Sequence, residues 1–469
     1  MRQAFLLFAL LLGAAACTQH RGLTGCAVGT VLVNGDCESI PFDAGTRGDA
    51  GALRDGGNDD AGQAGDAGNV LDGGELNDAG GPGDAGDAGN SSDAGPVDGG
   101  ADAGTALSEA TCVGFHPDHS YTQPDDRVAS PLAPVWALDL ADAGVSSASA
   151  FEVPAISRGL VLVKTGEWVA PPSQLQAFDL ETGTRVWGPT RASPRLAVDN
   201  GRFFGMAGTS PIDTRIGAYD LATGAGPLWV SPILTGQQVF SPIVAAGGVV
   251  YINGKTSGGT SAGGTTYAIN EQSGALQWRG DQSTGTLGAV SAANGVVYLA
   301  EDCGSVIAYA AATGQQLWHH PRECNYDVYT ASTQLYRDLI FYTSGGALLM
   351  NTAGQDQPVF NWNAPLAVHN GTVFFVREER TLLAVDLETH ATKWTFAPNG
   401  VWDMLTQPVI AGATGQIFVI SQAGVLYELD EATGSIRSKF TYSATPSNAT
   451  MLLAGNHLVL NVEKSIFVF

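Results

Sequence analysis

The sequence predicts an all-β chain whose larger part is an eight-bladed β-propeller of four-stranded antiparallel blades. Three observations lead there. Eight segments, RGLVLV, NGRFFG, GGVVYI, NGVVYL, RDLIFY, NGTVFF, TGQIFV and GNHLVL, each pass from a turn into a strongly β-favouring run. Their starts lie about 33 to 47 residues apart, the period of propeller blades. The composition, with 61 Gly but only 5 Met and 14% charged residues, suits turn-rich β-structure better than long helices.

At the N-terminus, residues 1–16 read MRQAFLLFALLLGAAA: one basic residue, a short apolar run and small residues before Cys17. This is the layout of a secretory signal, and the run is too short for a mature membrane span. The small residues before the cysteine resemble the lipobox of bacterial lipoproteins, although Ala14 stands where Leu is commonest. The resemblance implies acylation of Cys17, with ordinary signal cleavage nearby as the alternative. Thr18 is not the Asp that retains such proteins at the inner membrane, so the resemblance points to the outer membrane, at its periplasmic face or at the cell surface.

Residues 17–42 form a small lipid-anchored, cysteine-containing segment, in which GCAVGTVLVNGDCESI reads as a hairpin turning at Asn34-Gly35. Residues 43–112 read as a disordered acidic linker. From Asp43 to Gly104 the chain is nearly all Asp, Ala and Gly and cannot bury enough apolar surface to offset its ordering entropy. It holds 14 Asp and Glu against Arg47 and Arg54, about half of the chain's net charge of -24. Mutual repulsion extends such a tether. A field of this sign also argues against nucleic acid and anionic membrane surfaces as partners.

In an exported, oxidising setting the cysteines after Cys17 can pair. Cys26 with Cys37, and Cys303 with Cys324, are the candidate disulfides nearest in sequence, which leaves Cys112 over. No C-x-x-C spacing supports a structural zinc site, and no metal site is expected.

Residues 113–469 are the propeller. Each β-run is followed by a second strand and then by a shared frame. Instances are AFDLETGTRVW (177–187), AYDLATGAGPLW (218–229), AINEQSGALQW (268–278), AYAAATGQQLW (308–318) and AVDLETHATKW (384–394). The frame is a small residue, Asp or Asn, Thr-Gly, then Trp. Its members are Asp179, Gly183 and Trp187; Asp220, Gly224 and Trp229; Gly274 and Trp278; Gly314 and Trp318; Asp386 and Trp394; and Asp430 and Gly434 in the seventh copy. The Asp can accept bonds from backbone amides two or three residues on, while the Gly permits a left-handed backbone. The Trp offers an apolar face to the next blade and an N–H to a nearby carbonyl.

This frame resembles the tryptophan-docking repeat of the pyrroloquinoline-quinone, or quinoprotein, propeller family, which includes the lipoprotein component of the outer-membrane β-barrel assembly machinery. The resemblance covers residues 130–469 and implies eight blades. Copies depart from it: Asn270 and Ala310 replace the Asp, His390 replaces the Gly, the fifth is irregular around MNTAGQDQPVFNW, and the seventh ends in Phe440. The eighth unit stops at Phe469 without an outer strand, and PVWALDL, around Trp136, has a Trp with no preceding turn. Trp136 is therefore expected to close the ring by completing the last blade, which removes open sheet edges.

The family contains quinoprotein alcohol dehydrogenases, which the resemblance endows with a carboxylate base, a calcium beside the quinone and usually a disulfide of adjacent cysteines. This chain has no adjacent cysteines, and no quinone or calcium ligand can be carried over. Cys303 and Cys324 read as a brace between the fourth blade and the loop entering the fifth. His319-His320, Glu301-Asp302 and Glu378-Glu379 read as surface residues, the acidic pairs as solvated hairpin tips. Trp168, Trp362 and Trp402 fall outside the frame, and Trp402 is the one suspected of facing a partner. The insertion NGKTSGGTSAGGTT in the third blade reads as a mobile loop. No nucleophile with a base is visible. The expectation is thus a monomeric, non-catalytic, cofactor-free scaffold lipoprotein whose protein partner is, by resemblance, the outer-membrane barrel insertase. A glycan- or matrix-binding surface lipoprotein is the alternative, and a quinone-dependent dehydrogenase the third reading.

Overall fold

The computed structural model describes residues 30–33, 36–39, 107–112, 114–139, 151–165, 174–191, 196–207, 214–234, 239–255, 263–286, 288–322, 332–343, 347–359, 365–398, 403–443, 449–462 and 465–469. Cys17, Cys26, Cys324, Trp168, Trp362, Trp402, the turn Asn34-Gly35 and the linker up to residue 106 lie outside them, as do the side chains of Cys37 and Cys303. The chain divides into two units, 1–97 and 98–469. In the first, Thr30–Val33 pairs antiparallel with Asp36–Ser39, and Val33 stands opposite Asp36.

The second unit is the eight-bladed propeller: blade 1 (151–191), blade 2 (197–230), blade 3 (239–282), blade 4 (291–320), blade 5 (334–351), blade 6 (367–396), blade 7 (409–441) and blade 8 (449–468 with Trp136–Asp139). Antiparallel order from the axis outward is kept throughout. Blade 3 gains a short strand, Val239–Phe240, and blade 5 shows three strands among the described residues.

Blade 4 shows why the runs are apolar without interruption. In its second strand, Val297 and Leu299 pack into the buried layer shared with blade 3, while Tyr298 and Ala300 pack into the layer shared with blade 5. A strand covered on both faces needs apolar residues at every position, so the usual alternation with polar residues disappears. The core is accordingly a series of layers between blades.

Ring closure follows the expected path. Trp136–Asp139 pairs antiparallel with Ser465–Val468, with Val468 opposite Trp136, so one blade is built from strands more than three hundred residues apart. The chain just before this strand holds a feature that sequence reading missed. Residues 107–134 are not linker and connection but a folded insert on the ring axis, and the boundary expected at residue 112 falls inside it.

That insert is hydrogen-bonded to the innermost strands of seven blades and shares a buried layer with that of the remaining one, blade 3. Ala110 exchanges backbone bonds with Ile156 of blade 1 at 2.8 and 2.9 Å, and the Val198 amide of blade 2 donates to the Thr111 carbonyl at 2.8 Å. Cys112 belongs to the buried layer that also holds Val244 and Ala245 of blade 3. The amides of Ala292 (blade 4) and Leu335 (blade 5) donate to the carbonyls of Pro117 and Asp118 at 2.9 and 2.8 Å. Thr122 Oγ1 donates to Val368 O of blade 6 at 3.1 Å, and Gln123 Nε2 to Leu453 O of blade 8 at 2.9 Å. Thr122–Gln123 also lies parallel against the inner edge of blade 7 as a fifth strand.

Candidate functional site

A propeller can bind ligands on its axis or on either of its two faces. In an up-and-down blade the turn between the first two strands and the turn between the last two share one face. That face carries the repeated Asp-x-x-Thr-Gly turns, and they are built alike. Asp179 Oδ1 accepts from the Thr182 amide and hydroxyl, both at 2.8 Å, and Asp220, Asp386 and Asp430 do the same for Thr223, Thr389 and Thr433. At Asp179, Asp386 and Asp430 the surrounding bonds favour the ionised form. The Thr182 hydroxyl and amide hold Asp179 below the usual carboxylate range, the Thr389 amide does so for Asp386, and for Asp430 the leading cause is the Arg437 guanidinium. Gly183, Gly224, Gly274, Gly314 and Gly434 follow with φ between 67° and 73°.

Each tryptophan docks on the turn of the next blade. Trp136 Nε1 donates to Leu180 O at 2.7 Å, Trp187 to Leu221 O at 2.8 Å, Trp229 to Glu271 O at 2.8 Å, Trp278 to Ala311 O at 2.7 Å, Trp318 to Thr352 O at 3.0 Å and Trp394 to Glu431 O at 2.9 Å. The indole faces lie over the glycines. A Cβ on Gly183 would stand 2.7 Å from the Trp136 ring, and one on Gly224, Gly274, Gly314 or Gly434 would stand 2.5 Å from the ring above it. Glycine is thus required twice, for its backbone and for the approach of the ring. At the joint between blades 7 and 8, Phe440 packs edge-on against Phe467 and Phe469 at 5.4 and 5.0 Å.

On the axis, the insert fills the end nearest these turns. His119 is buried, its Nδ1 3.0 Å from Thr333 O, and its carbonyl accepts from Gln334 Nε2 at 2.9 Å. Burial pulls its imidazole down to about 4, and its Nε2 has no hydrogen-bond partner. Cys112 is a free, buried thiol pushed up to about 12 by desolvation. Phe115, His119 and Tyr121 have φ of 76°, 60° and 53°, left-handed conformations that cost bulky residues about 1 to 2 kcal/mol each. Bonds to the surrounding blades hold His119 and Tyr121 there, and bonds within the insert hold Phe115.

A quinone with its calcium would need free acidic and amide groups. The amides at this end of the axis are saturated by the chain itself: Gln334 binds His119 and Leu366, and Gln123 binds Glu109 and Leu453. Among the described residues no three or more His, Cys, Asp or Glu side chains are grouped to hold a metal ion. The described residues at this end of the axis do not offer the groups that the cofactor needs.

On the opposite face, the tip of blade 4 corrects one expectation. Glu301 and Asp302 are buried, not solvated. Glu301 Oε1 accepts from the Ser283 amide at 2.7 Å, and Asp302 pairs with Lys255 of blade 3. The cause is the long third blade, whose second and third strands run seven residues each and cover the tip. His319 Nε2 lies 3.2 Å from Glu301 Oε2, in a geometry short of a hydrogen bond, and His320 lies 3.4 Å from Asp356. Glu378 and Glu379 occupy a hairpin tip with positive φ, and Glu378 is exposed.

Eight such blades, six of their joints made by indole-to-turn docking, define a β-propeller of the pyrroloquinoline-quinone repeat type. Residues 212–440 match the family model described as outer membrane protein assembly factor BamB. Among solved structures, BamB from Moraxella catarrhalis is similar at 19% identity and a TM-score of 0.51, over 72% of this chain and 96% of that one. Quinohemoprotein alcohol dehydrogenase from Comamonas testosteroni is similar at 13% identity and a TM-score of 0.57, over 77% and 80%. The computationally designed protein Ika8 is similar at 14% identity and a TM-score of 0.52, over 68% and 96%. At these identities the likeness speaks for the fold. No curated protein matches the sequence.

Proposed function

We propose that this chain is a lipid-anchored, non-catalytic scaffold that binds a protein partner at the bacterial outer membrane, in the assembly of outer-membrane proteins, with the barrel insertase as that partner. The observation that carries the reading is the match of residues 212–440 to the outer membrane protein assembly factor family. The ring itself suits the role: six indole-to-carbonyl joints and an insert hydrogen-bonded to seven of the blades hold its faces in fixed relation. Fold alone does not decide between scaffold and enzyme.

A second reading rests on the acidic stretch between Cys17 and the propeller. A long tether gives reach, which serves a surface protein that binds glycans or matrix. Affinity capture of the lipidated protein from crosslinked cells tests the first reading, with recovery of the barrel insertase as the expected result. Its absence, together with digestion of the propeller by protease added to intact cells, would move the assignment to the surface. Quinone-dependent dye reduction by the purified chain would overturn both in favour of a dehydrogenase.

A further inference from the structure

Four blades carry an aspartate at one turn position of the turn face, and three consecutive blades do not. Blades 1, 2, 6 and 7 place Asp179, Asp220, Asp386 and Asp430 at the same turn position, but the consecutive blades 3, 4 and 5 place Asn270, Ala310 and Asn351 there. A depression of about 1040 Å³ overlaps this sector at blades 3 and 4 and extends to the inner hairpin of blade 2. Among the described residues its charged lining consists of Arg202 and Glu271, and Arg202 Nη1 donates to the Glu271 carbonyl at 2.9 Å. In a chain of net charge -24, this lining carries no net formal charge, although Asp199 stands behind it against Glu271.

Asn270 shows what the exchange of Asp for Asn does. Its Oδ1 accepts from the amides of Gln272 and Ser273 at 3.1 and 2.9 Å and from the Ser273 hydroxyl at 2.8 Å, as the aspartates do in their own turns. Backbone N–H groups can only donate, so the oxygen must face the turn and the N–H₂ is left toward the depression. The turn is kept, and an anionic acceptor becomes a neutral donor. Gln272, Gln277 and Asn294 line the same space, as does Asn200, whose Nδ2 donates to Glu271 Oε2 at 3.1 Å. At its lip, a Cβ on Gly247, Gly248 or Gly295 would meet nothing within 4 Å, so the approach is open.

We propose that this groove binds an uncharged oligosaccharide. Side-chain amides both donate and accept, as sugar hydroxyls and N-acetyl groups do. A protein partner would instead need large apolar or aromatic anchors. The aromatic ring that lines the groove, Tyr251, is fully buried, and the exposed aliphatic residues Leu228, Val230 and Ile233 are not part of its lining. This site goes beyond the scaffold reading, and its failure would leave the capture experiment untouched.

The test is calorimetric titration of the full chain with the N-acetylglucosamine tetramer. Saturable binding with Kd of about 1 mM or tighter is expected. Asn270→Asp preserves the turn acceptor but replaces the groove donor with a charge that must be desolvated, so it should weaken binding about tenfold or more without lowering the melting temperature. Asn351→Asp, the same exchange outside the groove, should leave binding unchanged. No saturable binding, equal effects of the two substitutions, or binding of a neutral Gly/Ser peptide in place of the tetramer would overturn the proposal.

Discussion

A glycine under an indole separates two costs that usually come together. Gly183 and Gly295 have φ of 67° and 74°, so an alanine at either is strained by about 1 to 2 kcal/mol. Only at Gly183 would the new methyl also meet a ring, that of Trp136 at 2.7 Å, whereas at Gly295 nothing lies within 4 Å. Gly183→Ala is therefore expected to lose about 1 to 3 kcal/mol more than Gly295→Ala in chemical denaturation, and equal losses would say that docking carries no energy. Titration offers a second residue-level test. Burial, and then the Glu271 carboxylate, push Asp199 up to about 6. A carboxyl raised in the fold stabilises it fully below its ordinary value near 3.8 and loses that contribution as pH rises through about 6. His119, pulled down to about 4, acts the other way: its contribution is present above its ordinary 6.5 and is lost as pH falls through about 4. Asp199→Asn should thus raise the melting temperature at about pH 8 and do so less at about pH 4.5. An equal shift at both would rule out the titration of Asp199 as the cause.

Two elements from the front of the propeller unit complete the ring. The strand Trp136–Asp139 supplies the outer edge of blade 8, and the insert at 107–134 caps the axis. Trp136→Ala, or removal of the terminal SIFVF, is expected to destabilise the whole domain, by about 3 to 5 kcal/mol for the tryptophan alone. Trp168, outside the docking frame, should tolerate alanine better. Trimming matters as well. A chain that starts at residue 113 lacks Ala110 and Thr111, and with them the backbone bonds to blades 1 and 2, so it should melt below one that starts at 107. Coincident melting curves would mean that the insert adds nothing to stability. The two elements also differ in how readable they were. Trp136 stood in a recognisable strand with a tryptophan and no turn, so its partner could be found by asking which blade lacked an edge. The insert has no period, and its bonds run to residues as far away as Leu453, so no local pattern announced it.

For the molecule as a whole, the anchor is the feature with the simplest test. If Cys17 carries the lipid, a Cys17→Ser protein should leave the membrane fraction on washing with high salt, and retention there would remove the lipid from the account. The number of blades, their order and the turn-to-indole joints were determined by the sequence alone. The reason is that each depends on residues within one blade or on the blade beside it, and a strand packed on both faces writes an unbroken apolar run. Tertiary structure alone decided three other things: the capped axis, the burial of Glu301 and Asp302 under the long third blade, and the neutral groove. Those depend on what the closed ring brings together from distant parts of the chain. Asn270 looked like a degraded repeat until its oxygen was seen to keep the turn and its nitrogen was left to the groove.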